Sequence, residues 1–141
     1  MPGIDIIGTL RRISSRVRNI FDITNAGLTL TETGGTLTTD GTEQTIWVQT
    51  TPMGVFKPLT FLLNTTALAL GDTIVIRTFY QIVPGGALVP SDEVTFAGPS
   101  PPAQRLKEFI LKPNRYGVEI TLEQTVGAPV VDFDWEVFYE V

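Results

Sequence analysis

Two hydrophobic periods divide this chain. Over residues 5–22, Ile6, Leu10, Ile13, Val17 and Ile20 recur at alternating steps of four and three, the spacing that lines one stripe of an α-helix. Ser14, Ser15, Arg11, Arg12, Arg16 and Arg18 fall largely off that stripe, and Asp5 stands where an N-cap would. The spacing predicts an N-terminal amphipathic α-helix. Its steps resemble a coiled-coil seam, but they cover only about two heptads, short for one.

From Gly27 onward the period changes to two. "GLTLTET" alternates Leu with Thr, "GG" at 34–35 reads as a turn, and "TLTTD" leads to a second turn at Asp40-Gly41. In "EQTIWVQT", Ile46 and Val48 face opposite to Trp47. "FKPLTFLLNT" alternates through Leu59, Phe61 and Leu63. "TIVIRTFYQIV" is the longest strand candidate and puts Ile74, Ile76, Tyr80 and Ile82 on one side. After a "PGG" turn, "DEVTFAG" reads as a short strand, "PSPPA" as a loop and "RLKEFILKP" as a strand with a bulge or bend. "RYGVEITLEQT" sets Val118, Ile120 and Leu122 against Glu119, Thr121 and Glu123, and "DFDWEVFYEV" places Phe133, Trp135, Val137 and Tyr139 on one face.

These segments predict an all-β, antiparallel β-sandwich of about eight strands with turns at roughly ten-residue spacing. Eight strands suit a jelly roll without fixing the topology. The expected organisation is an arm over residues 1–24 and a sandwich domain over 25–141. At 141 residues with 43% hydrophobic and 18% charged positions, the chain is long and apolar enough for a core without metal or disulfide.

Charge changes the picture of the arm. The chain has a net charge of −5, yet residues 1–22 hold four arginines against Asp5 and Asp22. The rest carries 6 basic and 13 acidic groups, so a basic arm precedes an acidic body. Such a body is a poor wrapper of nucleic acid, and only the arm offers phosphate or anionic lipid a partner. Nucleic acid and membrane therefore rank below two other uses of the arm. It can pack on a neighbouring subunit, through Ile6, Leu10, Ile13, Val17 and Ile20 with Arg11, Arg12, Arg16 and Arg18 meeting acidic surfaces, or it can fold back onto its own sandwich. No leader pattern and no run near the roughly 20 apolar residues of a membrane span is evident, so synthesis and folding in the cytoplasm are expected.

Candidate chemistry is sparse. With no cysteine and no histidine, disulfides, thiolate or imidazole metal sites and Ser-His-Asp or Cys-His catalysis are excluded. Asp132, Asp134 and Glu136 share the face opposite Trp135. They could hold Ca²⁺ or act as a glycosidase pair, but a solvated sheet face guarding an edge strand explains them better. Trp47, Phe79 and Phe138 are expected to point away from the core, as surface contacts for a protein or, second, for a sugar ring. "NTT" at 64–66 matches an N-glycosylation acceptor, a short pattern that arises by chance. The glycine clusters lack the context of a phosphate loop, and no cofactor or small-molecule site is expected.

The segments "GVFKPL", "GDTIVIRTFYQI", "DEVTFAG", "PNRYGVEITLEQTVG" and "FDWEVFYE" resemble those of small structural proteins encoded by archaeal and thermophile-associated viruses and proviruses. The resemblance covers residues 25–141 and lies in strand phrasing. It implies a single jelly roll and a capsid, decoration or tail-associated role in a virion, as a homo-oligomer that meets other virion proteins. The expectation is a non-enzymatic virion structural protein. The alternative is a carbohydrate-binding or adhesion sandwich resting on Trp47, Phe79, Phe138 and the last-strand carboxylates.

Overall fold

The alternating segments form eight strands in a computed structural model that describes residues 30–50, 57–127 and 130–140. They are β1 (Leu30–Thr38), β2 (Glu43–Gln49), β3 (Lys57–Asn64), β4 (Thr73–Gln81), β5 (Leu88–Ala97), β6 (Leu106–Ile110), β7 (Gly117–Val126) and β8 (Asp132–Glu140). One turn of 3₁₀ helix, Pro102–Gln104, precedes β6. The expected N-terminal helix and its residues Ile6, Leu10, Arg11, Arg12, Ile13, Arg16, Val17, Arg18 and Ile20 lie outside the described residues.

Every pairing is antiparallel. Sheet I has the order β1-β8-β3-β6 and sheet II the order β2-β7-β4-β5. Chain neighbours β1 and β2 therefore sit in different sheets, so the tight turn at Gly41 (φ +82°) redirects the chain between layers and does not close a hairpin. Asp40 shapes that turn by accepting the Thr42 backbone N–H at 2.9 Å and its hydroxyl at 2.7 Å. These bonds favour the carboxylate and lower the Asp40 pKa.

The period-two pattern explains the core. Phe61, Leu63, Phe133 and Val137 of sheet I and Ile46, Ile74, Ile76, Ile120 and Leu122 of sheet II form one buried cluster with Leu68 and Leu111 from flanking loops. Two apolar faces meeting in one cluster make a β-sandwich. Each such side chain contributes about 1.5–3 kcal/mol when fully removed from water. At one end, the Thr39 hydroxyl donates to Gln124 Oε1 at 2.6 Å, while its backbone N–H donates to Val131 O at 2.9 Å. Thr39 thereby ties the end of β1 to the start of β8 and across to β7.

Four expectations fail for identifiable reasons. Gly34 and Gly35 are not a turn but lie inside β1, opposite Glu136 and Trp135. A Cβ on Gly34 would stand 2.7 Å from the Trp135 carbonyl oxygen, so close strand approach and not chain reversal demands glycine there. Trp47 does not point away from the core. A register shift between Thr45 and Trp47 adds one residue to β2, so Ile46 is buried and Trp47 packs against the core as well. Ile82 falls beyond β4 and is exposed, leaving Thr78 on the inner side between Ile76 and Tyr80. The bulge expected in β6 is also absent, since its five residues pair with β3 in unbroken register.

Candidate functional site

The outer face of sheet II is built around Arg77. Its Nε donates to Glu93 Oε2 at 2.7 Å and its Nη1 to Glu123 Oε2 at 2.8 Å, with Glu43 Oε1 3.2 Å away. Thr121 donates its hydroxyl to the same Glu43 oxygen at 2.6 Å, and Thr45 does so to Glu119 at 2.6 Å. Hydrogen bonds to Glu123 and then Glu93 raise the Arg77 pKa further above its ordinary value. One guanidinium thus laces β2, β7, β4 and β5 together. These charge-assisted contacts bind the four strands across the face. Phe79 lies on this same outer face, half-buried between Glu119 of β7 and Pro90 of β5.

At the opening between β4 and β6, Tyr80 accepts the Lys112 backbone N–H at 2.8 Å. Burial raises the Tyr80 pKa. The Lys112 ammonium reaches Asp92 Oδ2 at 2.8 Å, which lowers the Asp92 pKa and raises that of Lys112. An open groove of about 460 Å³ runs past Tyr80, Val89, Ser91 and Lys112. Both charges are paired and exposed, and no nucleophile-base pair forms there.

The outer face of sheet I is different in kind. Asp132, Asp134 and Glu136 lie on it, as their alternation with Phe133 and Trp135 requires. Thr38 donates its hydroxyl to Asp132, and Thr36 donates to Asp134 at 2.7 Å. Among the described residues, no group of three acidic side chains is placed to hold a metal ion. Beside these carboxylates an open groove of about 310 Å³ runs between Gly34 and the side chains of Leu62, Asn64 and Leu106. Leu106 and Ile110 of β6 are 62% and 86% exposed. Phe138 belongs to the same face, opposite Thr60. Asn64 accepts the Thr66 backbone N–H at 3.0 Å, which stabilises the turn after β3.

The aromatic trio is therefore dispersed. Phe79 is on the outer face of sheet II and Phe138 on that of sheet I, while Trp47 contacts the Tyr139 ring at a centroid distance of 5.4 Å on the inner side. No shared platform for a sugar ring results. Two features escaped the sequence reading: the Arg77 cluster and the apolar stretch of β6. The alternation of Leu106, Glu108 and Ile110 against Lys107 and Phe109 was the available signal for the second.

No protein-family model matches the chain, and no curated protein matches it. Among solved structures it is similar to a chain from a structure described as "Bacillus endospore appendages form a novel family of disulfide-linked pili". The TM-score is 0.47 and the identity 18%, over 83% of this chain and 93% of that one. Those pili are disulfide-linked, whereas this chain contains no cysteine.

Proposed function

We propose that this chain is a non-enzymatic structural protein that assembles with copies of itself. The observation that carries the reading is the outer face of sheet I, where Leu106 and Ile110 stand 62% and 86% exposed and share the face with Leu62 and Phe138, interspersed with the carboxylates Glu108 and Glu136. Large apolar side chains left exposed together on one sheet face mark a protein contact. The finer reading is a virion protein of the shell, a decoration or the tail, assembled in the cytoplasm of the host of an archaeal or thermophile-associated virus. Its support is the resemblance of the strand segments. The strand order supports reading the sandwich as a single jelly roll, because each sheet interleaves early and late strands as two Greek keys do. The partners are then further copies of this chain and other virion proteins.

Light scattering behind a sizing column, on the full-length chain over a concentration series, tests the reading. A discrete oligomer or a polymer that grows with concentration is expected. A monomer throughout would sink it.

A further inference from the structure

We infer that the outer face of sheet I is the docking surface for residues 5–22 of a second copy of this chain. The inference rests on the self-assembly reading and names the two surfaces that meet.

Strand register sets out the receiving face in rows. One row runs Glu32, Phe138, Thr60, Ile110, and the next Gly34, Glu136, Leu62, Glu108. A third begins Thr36, Asp134 and ends with Asn64 opposite Leu106. Gly34 has no side chain, which opens the groove toward Leu62 and Leu106. Among the described side chains this face carries Glu32, Glu108, Asp132, Asp134 and Glu136 and no basic group, and none of the five is ion-paired. The carboxylates of sheet II, by contrast, already surround Arg77.

An occupant of this face must therefore bring both apolar and basic side chains. Residues 5–22 have that composition. Ile6, Leu10, Ile13, Val17 and Ile20 form one stripe, flanked by Arg11, Arg12, Arg16 and Arg18. As the helix its spacing predicts, the stretch from 6 to 20 would be about 22 Å long. Four strands span about 14 Å between the outer strand axes, and nine residues of β8 run about 30 Å, so such a helix fits the face lengthwise or obliquely. The acidic bodies repel one another, and an arm of opposite sign laid across a neighbour offsets that repulsion.

The absence of cysteine makes a clean crosslinking test. Full-length chains carrying Ile13→Cys are mixed with tagged full-length chains carrying Leu106→Cys, and oxidised. A disulfide between the two chains is expected, with little product when the second chain carries Thr95→Cys on β5 instead. Asp134→Lys with Glu136→Lys in the receiving chain should cut the yield about tenfold, and Glu at positions 11, 12, 16 and 18 of the donor should restore it. Light scattering on the unsubstituted chain separates the failures. An oligomer with no preference for Leu106→Cys overturns the docking and leaves self-assembly standing. A monomer removes both. A disulfide found only within one chain carrying both cysteines shows the arm on its own sandwich and overturns docking between copies.

Discussion

Gly34 and Gly35 are adjacent, yet alanine at the two positions should act in opposite directions. At Gly34 a Cβ meets the Trp135 carbonyl oxygen at 2.7 Å and the Glu136 Cα at 3.5 Å. Both are backbone atoms of the paired strand, so relief requires β1 and β8 to separate. Such overpacking costs about 1–3 kcal/mol, against about 0.4–1 kcal/mol gained by restricting the unfolded chain. Gly34→Ala should therefore destabilise by about 1–2 kcal/mol. At Gly35 the Cβ lies 3.5–3.6 Å from the Trp135 indole, an ordinary contact. Only the unfolded-state gain and some apolar contact remain, so Gly35→Ala should stabilise by about 0.5–1 kcal/mol. The difference of about 2 kcal/mol corresponds to about 8 °C in Tm for a domain of this size. Urea titration with an unchanged slope measures it directly. If both substitutions shift the midpoint the same way, the register of β1 on β8 described above is wrong. A turn at 34–35 would place neither glycine against Trp135.

Phe61→Ala, at a fully buried position between Phe109 and Val137, should cost about 3–5 kcal/mol in the same titration. Arg77→Met leaves Glu43, Glu93 and Glu123 without their shared cation and should cost about 1–2 kcal/mol at neutral pH. The urea midpoint of this variant against that of the parent measures the deficit, and an unchanged midpoint would mean that the cluster contributes nothing to stability. Asp40 has a lowered pKa, so its turn contributes stability above the ordinary aspartate range that disappears as the pH falls through the folded value. Asp40→Ala should accordingly be less stable than the parent at neutral pH and indistinguishable from it in strong acid, as followed by thermal melts.

The acidic face of sheet I was half legible. Alternation alone put Asp132, Asp134 and Glu136 on one side of β8, opposite Phe133 and Val137 in the core. Nothing local says that Leu62, Leu106 and Ile110 share that side of the layer. Their placement needs β3 inserted between β8 and β6, a pairing of segments far apart in the chain. The Arg77 cluster was hidden for the same reason, since its carboxylates come from positions 43, 93 and 123.

Short-range order was thus within reach of the sequence: the all-β class, eight strands, the buried sides of β7 and β8 and the exclusion of histidine and cysteine chemistry. Each follows from a two-residue period or from residues the chain lacks, and neither depends on distant partners. Tertiary structure decided which strands neighbour each other, which way Trp47 faces and what Gly34 and Gly35 are for. A bulge inverts the facing of everything beyond it, and a glycine opposite a tryptophan carbonyl looks like a turn until its partner strand is in place. Both are set by contacts across a sheet, between residues whose separation in sequence carries no periodic signal.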